Sequence, residues 1–103
     1  MAAKKNGKRR TVIIGNAGYG LYYGDIEATD AEIVATKATR VYGCRHIAYW
    51  KGEVGGITSL ASKGPHSGSR IGLPADGLVT GIVNIYDVSP EAVAAFAAVA
   101  AKP

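Results

Sequence analysis

Cys44 and His46 are the first residues to weigh, because a thiol and an imidazole two positions apart share one face of an extended strand. Such a pair could supply a nucleophile and its base, or two metal ligands. A thiolate nucleophile needs its base within hydrogen-bond reach and an oxyanion site as well, and neighbours along one strand face are rarely so arranged. Zinc needs three or four ligands. His66 is the other histidine of the chain, and the spacing of Cys44, His46 and His66 matches no finger or ribbon. A cysteine that packs is the simpler reading. The residues imply no metal and no cofactor, and we expect no enzyme.

Two further clusters invite chemistry. Gly15-Asn-Ala-Gly-Tyr-Gly20 looks like a phosphate loop. It lacks the G-x-G-x-x-G order and the Gly-Lys-Ser/Thr ending. The next segment, from Leu21, reads as a strand and not as a helix whose N-terminus would hold the phosphate. A glycine-rich hairpin is the expectation. Asp25, Glu27, Asp30 and Glu32 gather around one turn. They could bind a cation or act as paired carboxylates, but acids at a solvated hairpin end need neither role.

The aromatic residues carry more. Tyr19, Tyr22, Tyr23, Tyr42, Tyr49 and Trp50 lie in the first half of the chain, near Arg40 and Arg45. Aromatics beside arginines on a sheet can stack bases or form hot spots of a protein interface. They can equally build the core of a domain with a single phenylalanine, their polar tips at the surface. Tyr22 and Tyr23 must point to opposite faces of a strand.

Charge is segregated. Lys4, Lys5, Lys8, Arg9 and Arg10 fall within the first ten residues with no acid among them, while the rest of the chain carries seven basic and eight acidic residues. The net charge of +4 therefore belongs to an arm, and the body is near neutral. A basic arm can contact phosphates, anionic lipid or an acidic partner surface; it can also be a solvated terminus. The arm is read as residues 1–9 and the body as residues 10–103, one domain without internal repeats. At 103 residues, with 48% hydrophobic and 19% charged residues, the chain has room for one globular core. A domain of this size gains from oligomerisation. One cysteine makes no intrachain disulfide, which suits a reducing compartment. No run approaches the ~20 apolar residues that span a bilayer, and no apolar stretch succeeds the basic start as in a signal peptide.

The elements emerge from local pattern. Arg10–Ile14 and Leu21–Glu27 read as strands, the second with Gly24 as a bulge. The β-branched residues between Glu32 and Tyr42 favour a strand over a helix, and Arg45–Trp50 continues it beyond Gly43-Cys44. Ile57, Leu60 and Ala61 have helical spacing. Ser69–Leu73 is a short strand, Pro74–Gly77 a turn, and Leu78–Tyr86 a strand. Ser89-Pro90-Glu91 starts a helix with a hydroxyl cap, proline at the first position and an early acid. Its apolar stripe reads as Val93, Phe96, Ala97 and Ala100. The fold class is α+β: a small curled antiparallel sheet or open barrel of about five strands, with a short middle helix and a C-terminal helix.

The order of motifs over residues 12–99 resembles a family of small phage and prophage proteins of unknown function. The residues that carry the resemblance are Ala17-Gly18-Tyr19-Gly20 with Tyr23-Gly24, then Arg40-Val41-Tyr42 through Tyr49-Trp50, then Thr58-Ser59-Leu60-Ala61-Ser62-Lys63-Gly64, then Leu78–Tyr86 and Pro90–Val99. The chain departs from the pattern at Gly43-Cys44-Arg45-His46, which looks like an insertion, and the basic arm lies outside it. The resemblance implies phage origin and a small β-rich fold, and it brings no activity with it.

The expected function is that of a non-enzymatic, self-associating phage accessory protein, associated with the virion as a capsid decoration or head protein. Tyr22, Tyr23, Tyr49 and Trp50 would form its contact surface, and Lys4, Lys5, Lys8, Arg9 and Arg10 would tether it to capsid protein or nucleic acid. The alternative is a nucleic-acid or nucleotide-binding module for host takeover or counter-defence, in which Arg40 and Arg45 beside the aromatics bind phosphates and bases. Either role places the chain in the virion or the host cytoplasm, without a membrane partner.

Overall fold

A β-branched run buried on both faces starts the sheet. The computed structural model describes residues 9–18, 20–50 and 56–101. Strand β1 (Arg10–Asn16) holds Val12, Ile13 and Ile14 fully buried, as a strand covered on both sides does. It pairs antiparallel with β2 (Leu21–Ile26). Helix α1 (Asp30–Thr36) leads into β3 (Ala38–Tyr49), which pairs antiparallel with β2. Helix α2 (Ile57–Lys63) precedes β4 (Arg70–Ile71) and β5 (Ala75–Thr80), both antiparallel to β3. Strand β6 (Ile82–Asp87) returns to β1 on the opposite margin, and α3 (Pro90–Ala98) ends the fold. The described residues thus form an α+β fold, with an open antiparallel sheet of six strands in the order β4-β3-β2-β1-β6, β5 also lying against β3.

The sheet is packed on both faces. On the concave face, Val12, Ile14, Ile26, Val41, Val79 and Ile82 form one core group, closed by Ile33 of α1. On the other face, Ile13, Ile47 and Ile71 pack under Leu60 and Ala61 of α2, Phe96 of α3, and Val99.

Four features differ from the sequence expectation. The stretch read as one strand from Glu32 begins as α1, because Thr29 and Glu32 form a capping box. The Thr29 side chain accepts from the Glu32 N–H at 3.2 Å, and the Glu32 side chain accepts from the Thr29 N–H at 2.8 Å. Val34 then points to solvent, so its β-branching had no sheet to serve. Leu78–Tyr86 is not one strand: Gly81, at φ +65°, bends it into β5 and β6. The bend puts Val79 and Ile82 in the same core group and leaves Val83 exposed. Pro74–Gly77 is not a turn either. Ala75 already pairs with Cys44, and Asp76 accepts the Gly43 N–H at 2.9 Å. Gly43-Cys44 does not end β3. It lies where the register with β5 shifts between Val41 and Cys44, so the apparent insertion is a bulge. The register with β2 shifts at the same place, where Gly43 and Cys44 lie opposite Gly24 alone, so the extra residue belongs to β3; β2 itself runs regularly against β1 through Gly24 and carries no bulge of the kind expected there.

The helices hold to the sheet through caps and close approach. The Ser89 Oγ accepts from the Ala92 N–H at 3.0 Å and donates to the Ser62 carbonyl; the Ser89 N–H donates to the Ala61 carbonyl at 3.0 Å. One residue therefore caps α3 and ties it to α2. The buried stripe of α3 is Ala92 and Phe96, followed by Val99; it keeps Phe96 of the expected stripe and replaces Val93, Ala97 and Ala100. Gly64 ends α2 at φ 84°, ψ 175°, a region open to glycine alone. A Cβ there would collide with the Cβ of Ala95 and lie 3.0 Å from the Ala92 carbonyl oxygen. Gly64→Ala should therefore destabilise the fold by about 2–4 kcal/mol from strain and overpacking together. Gly77→Ala, where a Cβ meets nothing within 4 Å, should change stability by less than about 1 kcal/mol. Urea denaturation of the two variants checks the contrast.

Candidate functional site

The root of the basic arm is neutralised by the body. The Arg10 guanidinium sits 2.6 Å from Asp30 and 3.2 Å from Asp87, and donates to the Ala28 carbonyl at 3.3 Å. Arg9 pairs with Glu27 at 3.1 Å and lies over the Tyr42 ring at 3.9 Å, a cation–π contact. Asp25 accepts from the Thr11 hydroxyl at 2.7 Å. With Glu32 in its capping box, all four acids around the turn have structural partners. Lys4, Lys5 and Lys8 lie outside the described residues.

The aromatic set does not form one surface. Tyr22 and Tyr23 take opposite faces, as alternation requires. Tyr23 stacks on Phe96 with centroids 3.8 Å apart and planes 16° apart. Tyr22 packs against the concave core, its ring 5.4 Å from that of His46. Trp50 is half-buried against the other core group. Tyr49 is exposed, and its cross-strand neighbour is Arg70, also exposed. Sequence distance hid that pair, since the two residues are 21 positions apart. The arginines divide likewise. Arg45 donates to the carbonyls of Gly72 at 2.8 Å, Phe96 at 3.0 Å and Val99 at 3.2 Å. It holds the end of α3 to the sheet, where a cation also meets the negative end of the helix. Arg40 is exposed and stands opposite Leu78.

Two grooves open beside these residues. Tyr22, Cys44, His46 and Asn16 face β5 across a groove of about 370 Å³ on the concave side. Cys44 and His46 do share one wall, as their spacing predicts. Burial pushes the Cys44 thiol up from its ordinary value, which leaves little thiolate at neutral pH. The second groove, of about 460 Å³, runs past Trp50, Leu21, Asn84 and Val83. Among the described residues no group of three or more His, Cys, Asp or Glu could hold a metal ion. The glycine-rich turn folds on itself: the Asn16 Oδ1 accepts from the N–H groups of Gly18 at 3.1 Å and Gly20 at 2.8 Å. Those donors are the ones a phosphate would need, and they are already satisfied.

The margins of the sheet remain. The large apolar side chains most open to solvent are Val34 at 70%, Val83 at 62%, Leu78 at 61% and Leu73 at 60%. Val34 and Val83 line one groove between α1 and β6. Leu73 borders the concave groove along β5, while Leu78, next to the buried Val79, takes the outer face of that strand.

Two outcomes separate structural from surface roles. Arg45→Ala should destabilise the fold by about 2–4 kcal/mol, since it leaves partly buried carbonyls without donors, whereas Arg40→Ala should stay within about 0.5 kcal/mol. Thermal denaturation reads both. The Tyr23 phenol is raised above its ordinary value of 10.0 by burial first and by Asp25 second, against an opposing Arg45. The unfolded chain therefore loses that proton at lower pH than the folded one, and stability falls as pH rises through about 10. Tyr23→Phe should remove this part of the alkaline loss, measured as the midpoint difference between pH 8 and pH 11.

No curated protein and no solved structure matches the chain. A family model for a domain of unknown function, DUF6948, matches residues 9–96. That span takes in all six strands and most of α3, and it begins after Lys4, Lys5 and Lys8. The chain belongs to the DUF6948 family.

Proposed function

We propose that this chain is a non-enzymatic phage accessory protein that self-associates and takes its place in the virion. The observation that carries the reading is the gathering of Leu73, Leu78, Val34 and Val83, all 60–70% exposed, at the margins of the sheet. Exposed apolar groups collected at sheet edges mark contact surfaces or association hazards. The near-neutral body suits symmetric packing, and the lysines of the arm suit a tether to an acidic capsid surface. The likeness to small phage proteins supports the virion setting, and a half-buried thiol with a raised pKa supports a non-catalytic role.

One observation favours nucleic-acid binding as the second reading. Tyr49 and Arg70 face each other, exposed, across β3 and β4, a pairing able to stack a base and hold its phosphate. Against it, Arg9, Arg10 and Arg45 are engaged within the fold.

Light scattering of the full chain at about 150 mM salt decides between them. Self-association predicts a discrete oligomer whose mass is unchanged by a short oligonucleotide. A monomer at tens of micromolar, gaining mass with oligonucleotide only at low salt, would replace it with the second reading.

A further inference from the structure

Two charges without an ion pair among the described residues, Arg40 and Asp76, meet an exposed leucine on one margin of the sheet. Strand β5 is hydrogen-bonded to β3 along one side and, among the described residues, to no other strand. Its pairing from Ala38↔Thr80 to Val41↔Gly77 is regular. In the middle of that stretch Leu78 is 61% exposed. Most charged side chains of the described residues have ionic or carbonyl partners: Arg9, Arg10, Arg45, and Lys63 with Glu91. Arg40 and Asp76 flank Leu78 and have no ion pair among the described residues. Arg40 stands opposite Leu78 in register, and the Asp76 carboxylate takes the Gly43 N–H and no cation among the described residues.

The other free margin is a poorer place for a strand. On β6, Gly15 faces Asn84 and Asn16 faces Ile82, so Val83 is an extra, bulged residue. Bulges bend an edge away from a straight partner. Within β5 there is neither proline nor lysine to guard the edge.

We propose that a second copy of this chain occupies the β5 margin, the two β5 strands pairing antiparallel about a two-fold axis at Leu78; this rests on the self-association reading above. Peptide groups facing one edge alternate along a strand. A strand paired antiparallel with its own copy must therefore be centred on a residue. Centring on Leu78 sets that side chain against Leu78 of the partner subunit on the outer face. Gly77 then faces the partner's Val79, and Asp76 faces the partner's Thr80. Arg40 stands two strands and two residues from the partner's Asp76, about 12 Å between Cα atoms at ordinary sheet spacings, a gap that an extended arginine and an aspartate span. The two-fold axis makes two such ion pairs. The strand is thus complementary to itself, leucine against leucine and cation against acid, which favours a second copy over an unrelated peptide.

Cross-linking tests the register, and charge reversal tests the pairing. In a Cys44→Ala chain, Leu78→Cys places two thiols on the axis at cross-strand distance, within the range a disulfide needs. Mild oxidation should convert most of it to a covalent dimer, while Val83→Cys on the bulged margin should cross-link several-fold less. Arg40→Asp and Asp76→Arg should each weaken dimerisation about five- to tenfold, and the double reversal should restore it to within about twofold. Scattering of the unmodified chain separates the two readings. An oligomer whose Leu78→Cys form does not cross-link, or whose double reversal does not rescue, overturns the β5 contact and leaves self-association standing. A monomer overturns both.

Discussion

One residue decides the shape of this sheet. β5 and β6 are consecutive strands joined through Gly81 alone, yet they lie on opposite margins. Laid flat, the order β5-β3-β2-β1-β6 would separate them by four gaps, about 19 Å at ordinary strand spacing. The Cα atoms on either side of a single residue can be no more than about 7 Å apart. The sheet therefore has to curl until its margins meet at Gly81, and a positive φ at that position lets the chain turn from one margin to the other. The Gly81 carbonyl accepts the Ala17 N–H at 2.8 Å, and the Ile82 N–H donates to the Lys37 carbonyl at 3.0 Å. These bonds tie the hairpin tip and the end of α1 to the corner. Away from it the margins diverge, so the sheet stays open.

The curl sets the division of labour between the two faces. Inside it there is room for a single layer of β-branched side chains, and a helix of one buried residue, Ile33, closes the layer. Outside it the sheet is convex and needs cover from α2 and α3 to bury Ile13, Ile47 and Ile71. That cover is small, and much of its attachment is polar. Arg45 reaches from β3 to the end of α3, and Ser89 links the two helices. The convex face beyond their reach, around Arg40 and Leu78, is left bare.

How much of this was legible depends on which interactions are local. The limits of α2 and the start of α3 were readable because helical spacing and a Ser-Pro-Glu cap lie within a few residues. The first strands were readable from β-branching and glycine breaks. The start of α1 was missed although Thr29-x-x-Glu32 is a local signal, because the five β-branched residues after it read as strand. Gly81 looked like a residue inside a strand, since only the closure of the sheet reveals it as a corner. The candidate surface was the least legible part. Tyr22, Tyr23 and Trp50 pack against two different core groups, and Arg45 donates to carbonyls 27 to 54 positions away. The Arg40–Leu78 and Tyr49–Arg70 neighbours exist only through strand pairing. Type and sequence proximity cannot separate an arginine that caps a helix from one that faces solvent.

Size then links the bare margin to assembly. A domain of this length is held by a stability of about 5–15 kcal/mol, and burying one leucine-sized side chain contributes about 1.5–3 kcal/mol. Covering even two of the four exposed apolar side chains would add a sizeable fraction of the whole. In a larger protein such residues would be absorbed by a further layer of structure. In this chain both helices on the convex face are committed to the opposite half of the sheet, and α1 to the concave core. The apolar margin therefore has no partner within the described fold, and a proposed second copy meets the shortage with the same strand that creates it.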